Sequence, residues 1–108
     1  MRRAVLLTDS AARDLEEIYD YVARHDAPAQ AHRLLDHVER ILNSLSESPQ
    51  RGTFPKELLA LGIREYRQVF FKPYSVVYKV LGKNVYVMLI ADGRSDMQTL
   101  LQRRLLDT

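Results

Sequence analysis

An α+β domain is the fold class that this sequence predicts, and three observations carry the prediction. Residues 74–91 hold two β-rich runs around a Gly-Lys-Asn turn. Residues 31–45 carry one continuous apolar stripe at helical spacing. Short apolar runs near the N-terminus and before the hairpin add two more strands. The order is then β-α-α-β-β-β with a trailing helix, a helical hairpin packed on a small, mainly antiparallel sheet.

The hairpin is the organising element. Residues 74–81 place Val76, Tyr78 and Val80 on one face and Val77, Lys79 and Leu81 on the other. Gly82, Lys83 and Asn84 tolerate the positive φ of a tight connection. Residues 85–91 are almost wholly apolar, as an interior strand covered on both faces requires. The chain then leaves through Asp92-Gly93-Arg94-Ser95-Asp96.

Residues 3–8 read as a strand feeding a helix, with Thr8 as N-cap and Asp9 favourable to the helix dipole. Ala11, Leu15, Ile18 and Val22 recur on one face of that helix, which stops near His25. Pro28 opens a second helix, since proline is tolerated in a first turn. Its stripe is Ala31, Leu34, Leu35, Val38, Ile41, Leu42 and Leu45, ended by Ser48-Pro49. Residues 49–62 form a connector with a helical turn at 56–61, and 63–71 a strand with Arg64, Tyr66 and Gln68 on one side. Ser95 or Asp96 caps a last helix to Leu106.

Length and composition fit one domain over residues 1–108, with 46% hydrophobic and 28% charged residues. With no cysteine, thiolate metal and disulfide chemistry are excluded. The apolar run at residues 4–7 is too short for a signal peptide, and nothing reaches the roughly 20 apolar residues of a membrane span. A cytoplasmic, soluble chain without a membrane partner is the expectation. Charge is uneven: six Arg against nine Asp or Glu give −3 over residues 1–48, and ten Lys or Arg against five Asp or Glu give +5 over 49–108. An anionic partner for the second half follows, set against simple scattering of solvated charge. His25, His32 and His37 all lie in the helical half; His32 and His37, five apart, do not suit a metal pair on a helix. No metal or cofactor site is expected.

The segments DLEEIYDYVA, SPQRG, ELLALGIREYR and SVVYKVLGKNVYVMLIADGRSDMQTLL occur here in an order and spacing that span nearly the whole chain. In these features the chain resembles the RelE/ParE superfamily of bacterial toxins, and more closely its ParE branch. The resemblance implies a type II toxin–antitoxin (plasmid stabilisation) toxin that poisons DNA gyrase by binding. It also implies a ParD-like antitoxin whose C-terminal segment wraps the toxin, and no sequence-specific DNA binding by the toxin alone. Two alternatives stay open. One is a ribosome-dependent mRNA endoribonuclease of the RelE type, with Arg64, Arg67 and Arg94 on phosphate. The other is a non-toxic relative that only binds an antitoxin.

RNA cleavage through a 2′-hydroxyl needs a base, cations around the phosphate and an acid for the leaving oxygen. The strand position where the resemblance places a catalytic Arg is Ser75, and residues 96–108 contain neither Tyr nor His. The resemblance therefore favours a toxin without a catalytic residue. Target or partner contact is expected from Arg64, Arg67, Asp92, Arg94 and Asp96. Leu100, Leu101, Arg104 and Leu105 on the last helix complete that set. Arg94 can clamp a carboxylate or phosphate, or pair internally with Asp92, Asp96 or Glu65. Many ParE relatives carry a His where this chain has Asp92. The last helix can likewise present a cation-edged apolar stripe to a partner or seal the core.

Overall fold

The computed structural model describes residues 2–106; Met1, Asp107 and Thr108, which the single-domain expectation also covers, lie outside them. The elements are β1 (Ala4–Leu7), α1 (Asp9–His25), α2 (Pro28–Glu47), α3 (Lys56–Leu59), β2 (Arg67–Phe71), β3 (Tyr74–Leu81), β4 (Asn84–Asp92) and α4 (Met97–Leu101). A π-helical stretch, Gln102–Leu106, prolongs α4. The sheet order is β1-β4-β3-β2, with β1 parallel to β4 and the other pairs antiparallel. The fold is α+β, as the periodicities predict.

Each junction has a local cause. Thr8 accepts from the Ala11 N–H at 3.1 Å and donates to the Val87 carbonyl at 3.0 Å, so one hydroxyl caps α1 and ties its start to the sheet. Pro28 occupies the first turn of α2, where its missing N–H has no intrahelical partner to lose. The α1–α2 hairpin lies on one sheet face, where Ala11 and Leu45 meet Val69, Val76, Tyr78, Val85, Val87 and Ile90. Its two helices close on each other through Val22, Ala31, Leu34 and Val38. On the opposite face Leu58 of α3, Tyr66 and Leu101 of α4 cover Val77, Leu89 and Ala91. Full burial of each such Val or Leu contributes about 1.5–3 kcal/mol.

A bulge in β4 decides which residues reach which face. Val77 pairs with Leu89 and Tyr78 with Val87, which leaves Met88 as the extra residue. Before it, Val85 and Val87 face the helical hairpin; after it, Ile90 takes that face while Leu89 and Ala91 turn to the other. The continuous apolar run in β4 is the sequence trace of this switch.

The strand expected over 63–71 begins only at Arg67. After α3 the chain is bent back by the Gly62 N–H on the Leu59 carbonyl (2.9 Å) and the Ile63 N–H on the Leu58 carbonyl (2.9 Å). Gly62 sits at φ 75°. The bend packs Ile63 and buries Tyr66 under α3, and this burial replaces the extended conformation. Arg64 is therefore a loop residue. Within β2, Val69 and Phe71 pack toward the helices, leaving Phe70 exposed on the opposite side.

Candidate functional site

The end of β4 is built by short-range bonds. Tyr74 pairs with Asp92 across β3 and β4, and the Gly93 N–H donates to the Pro73 carbonyl at 2.7 Å. A Cβ at Gly93 would stand 3.3 Å from that carbonyl and 3.4 Å from Ser75 Oγ, so glycine lets the turn close over Ser75. Asp92 Oδ1 accepts from the Arg94 backbone N–H (2.9 Å) and Nε (3.0 Å), and Oδ2 accepts from Nη2 (2.6 Å). These bonds from Arg94 pull the Asp92 pKa down to about 2. The Arg94 side chain nevertheless remains 81% exposed. Among the described residues Nη1 takes no acceptor, so the pair holds the guanidinium in place with one edge open. Tyr74 beside it has its pKa raised by burial and by the Asp92 charge.

Asp96, expected to contact a target or partner, is exposed and caps the last helix. Its Oδ1 accepts from the Thr99 N–H (3.2 Å) and its Oδ2 from Thr99 Oγ1 (2.8 Å), capping α4. Arg67, the first residue of β2, turns back to donate to the carbonyls of Gly52 (2.9 Å) and Gln50 (3.3 Å). Its guanidinium carbon lies 4.4 Å from the Phe54 ring centroid, and that of Arg64 lies 5.9 Å from the same ring. The two arginines thus clasp one aromatic of the connector and are not aligned along a strand.

The last helix is chiefly a core element. Leu101 is buried, and Leu100 and Leu105 pack partly buried against its cluster, so the leucine pairs are not an open stripe while the helix is seated. Arg104, expected at a partner-facing edge, points inward. Its Nη1 and Nη2 donate to Asp14 Oδ2 (2.8 Å) and Oδ1 (3.0 Å), and Nη1 also donates to the Met88 carbonyl (2.9 Å). Asp14 Oδ2 in turn accepts from the Ile90 N–H at 3.0 Å. The reason lies in the sheet. β1 stops alongside Val87, and the two side chains supply to β4 beyond it the bonds that a neighbouring strand would have made.

A groove of about 650 Å³ opens where β2, β3 and the start of α4 meet. Phe54, Phe70, Tyr74 and Met97 give it apolar walls, and the exposed Lys56, Lys72 and Arg94, with Glu57, supply its charge. Phe70 is 57% exposed. Sequence reasoning missed this groove, although the alternation Val69-Phe70-Phe71, two rings of opposite burial, carries its signal. Arg94 and Ser75 are brought into it; Leu101, Leu105 and Arg104 are not. Among the described residues no three His, Asp or Glu side chains converge as metal ligands, and no helix is long and apolar enough to cross a membrane. The three histidines sit against aromatic rings of Tyr19, Tyr21 and Phe71.

A helical hairpin on one face of a β1-β4-β3-β2 sheet, with a C-terminal helix on the other, is a fold found in toxin–antitoxin proteins. A chain of the chromosomal ParDE system from P. aeruginosa matches with a TM-score of 0.69 at 22% identity, covering 84% of this chain and 96% of its own. A chain of the RelBE2 toxin–antitoxin complex from Mycobacterium tuberculosis matches at 0.57 and 20%, covering 89% and 95%. The model of the family described as ParE toxin of type II toxin-antitoxin system, parDE, matches residues 5–97, and this chain belongs to that family. It is similar to Toxin ParE3 of Caulobacter vibrioides, 26% identical over 100 residues, 93% of this chain and 96% of the relative. The chain is therefore a ParE-type toxin of a type II toxin–antitoxin system.

Proposed function

We propose that this toxin acts in the cytoplasm, arresting DNA gyrase by binding it through the Asp92–Arg94 end of the sheet, and that a ParD-like antitoxin neutralises it. The observation that carries the reading is the Arg94 guanidinium, oriented by Asp92 yet 81% exposed, at the edge of an aromatic-walled groove. A fixed arginine beside exposed aromatic surface is the kind of anchor on which protein interfaces concentrate their energy. Binding without catalysis is supported by the groove floor. Where a RelE-type nuclease is expected to carry a catalytic Arg stands Ser75, which is 2% exposed, and residues 96–108 supply no Tyr or His.

The test is a pulse-label of cells in which the chain is induced without its antitoxin. Thymidine incorporation is expected to fall within minutes while methionine incorporation persists. A fall in methionine incorporation first, with cleaved mRNA, would replace this reading with ribonuclease action.

A further inference from the structure

We infer that β1 is a self-association edge, at which two copies of the chain pair their β1 strands antiparallel about a two-fold axis at Leu6. β1 is the outer strand on the side of the sheet away from β2. The Thr8 N–H donates to the Val87 carbonyl, so even-numbered residues of this segment bond to β4 and odd-numbered ones point outward. Arg3 has the same phase: its N–H donates to the Ser46 carbonyl (3.0 Å) and its carbonyl accepts from Ser46 Oγ (2.6 Å). Val5 and Leu7 follow in that phase, and among the described residues their outward N–H and C=O groups have no partner. Natural edge strands are guarded by a charge, a proline or a bulge, and Ala4-Val5-Leu6-Leu7 has none of these.

The register identifies the occupant as a second copy. With Leu6 opposite Leu6 of that copy, Val5 of each strand faces Leu7 of the other, and each such pair exchanges two hydrogen bonds. These bonds use the free groups of Val5 and Leu7 and no others. A two-fold axis normal to the sheet keeps both Leu6 side chains on one face, where a closely spaced, non-hydrogen-bonded pair brings them into contact. Leu6 is 44% exposed, and Tyr86, its neighbour on β4, continues the same face. The same register sets Arg3 opposite the exposed Asp9 of the second copy, at both ends of the seam. Arg2 is already paired with Glu47, whereas Arg3 has no carboxylate among the described residues. An unrelated strand could fill the backbone bonds, but this reciprocal charge match belongs to the chain itself. The seam is short, which makes the dimer a weak one, with a dissociation constant on the order of 10 µM. β1 pairs with the first residues of β4, so the Asp92–Arg94 end stays open in the dimer.

The inference does not rest on the gyrase reading. Sedimentation velocity of the purified full-length chain, from about 1 to about 200 µM, tests it. The sedimentation coefficient is expected to rise to that of a dimer across this range. Hydrogen exchange of the Val5 and Leu7 amides should slow about fivefold over the same range, and that of Leu6, already bonded to β4, should slow less. Leu6→Lys should weaken the dimer at least about tenfold. R3E and D9R should each weaken it about threefold, and an equimolar mixture of the two should regain it, because each then offers the other an opposite charge. Melting curves confirm that all three variants are folded. A chain monomeric at the highest concentration, a dimer untouched by Leu6→Lys, Val5 and Leu7 amides that do not slow, or a mixture no stronger than its components would overturn the inference.

Discussion

The two faces of one four-stranded sheet are put to opposite uses, and the difference separates what holds this toxin together from what it offers to others. On the hairpin face the sheet is covered by α1 and α2, and Val76, Tyr78, Val85 and Val87 are fully buried. Tyr78 is fully buried; its hydroxyl donates to the Pro49 carbonyl at 2.7 Å and accepts from the Gly52 N–H at 3.0 Å. Burial raises the Tyr78 pKa, which keeps the proton that the first bond needs. On the other face, α3 and α4 seal the sheet only in part. The remainder, around Phe70 and Ser75, is left as the groove, with Arg94 at its rim. Packing governs the first region and accessible chemistry the second, so substitutions should separate stability from binding.

The largest effects should come from the hairpin face. Leu45→Ala removes a fully buried side chain and is expected to cost about 3 kcal/mol in urea denaturation. Gly52→Ala would place a Cβ 2.6 Å from Tyr78 Oη and 2.8 Å from the Gln68 carbonyl, for a loss of about 2 kcal/mol. Phe70→Ala, on the open face, should stay within about 0.5 kcal/mol of the parent. A Phe70 variant as unstable as Leu45→Ala would mean that the open face is packed as tightly as the hairpin face.

The Asp14–Arg104 pair joins the last helix to both α1 and β4. Arg104→Met should cost about 2 kcal/mol, since it strands the mostly buried Asp14 carboxylate and the Met88 carbonyl. Asp14→Asn should cost a similar amount, and a double-mutant cycle should show coupling of about 1 kcal/mol or more. Additive losses would mean that the helix is held by its leucines alone.

Arg94→Ala is expected to lower the melting curve only slightly, the pair being exposed to solvent, while growth arrest on induction weakens about tenfold or more. The smallest effect is one of titration. The folded Asp92 pKa, about 2, lies below the ordinary 3.8, so the Asp92–Arg94 bonds favour the folded chain above pH 3.8. Their contribution fades as pH falls through about 2. The Asp92 carboxyl carbon should titrate near 2 by NMR, and nearer 3.8 in Arg94→Ala.

Much of this was legible in the sequence because period and punctuation are local. Thr8, Pro28, the α2 stripe and the Gly82 turn each declare an element through neighbours a few residues away. The unread parts are long-range. Asp14 and Arg104 lie 90 residues apart and meet because β1 ends at Leu7 and leaves β4 uncovered, which no spacing encodes. The bulge at Met88 hides inside an uninterrupted apolar run. Arg64 read as a strand residue until the burial of Tyr66 bent the segment. Asp92 and Arg94 were legible as neighbours two apart, whereas the groove beside them needs Phe54, Phe70 and Met97 from three separate segments.

The most direct test of the binding account is a supercoiling assay with purified gyrase, ATP and relaxed plasmid, run with the parent chain and with Arg94→Ala. The account predicts that the parent blocks supercoiling and that Arg94→Ala, equally folded, needs at least about tenfold more protein to do so. Unimpeded supercoiling at saturating parent chain, or equal inhibition by the two proteins, would contradict it.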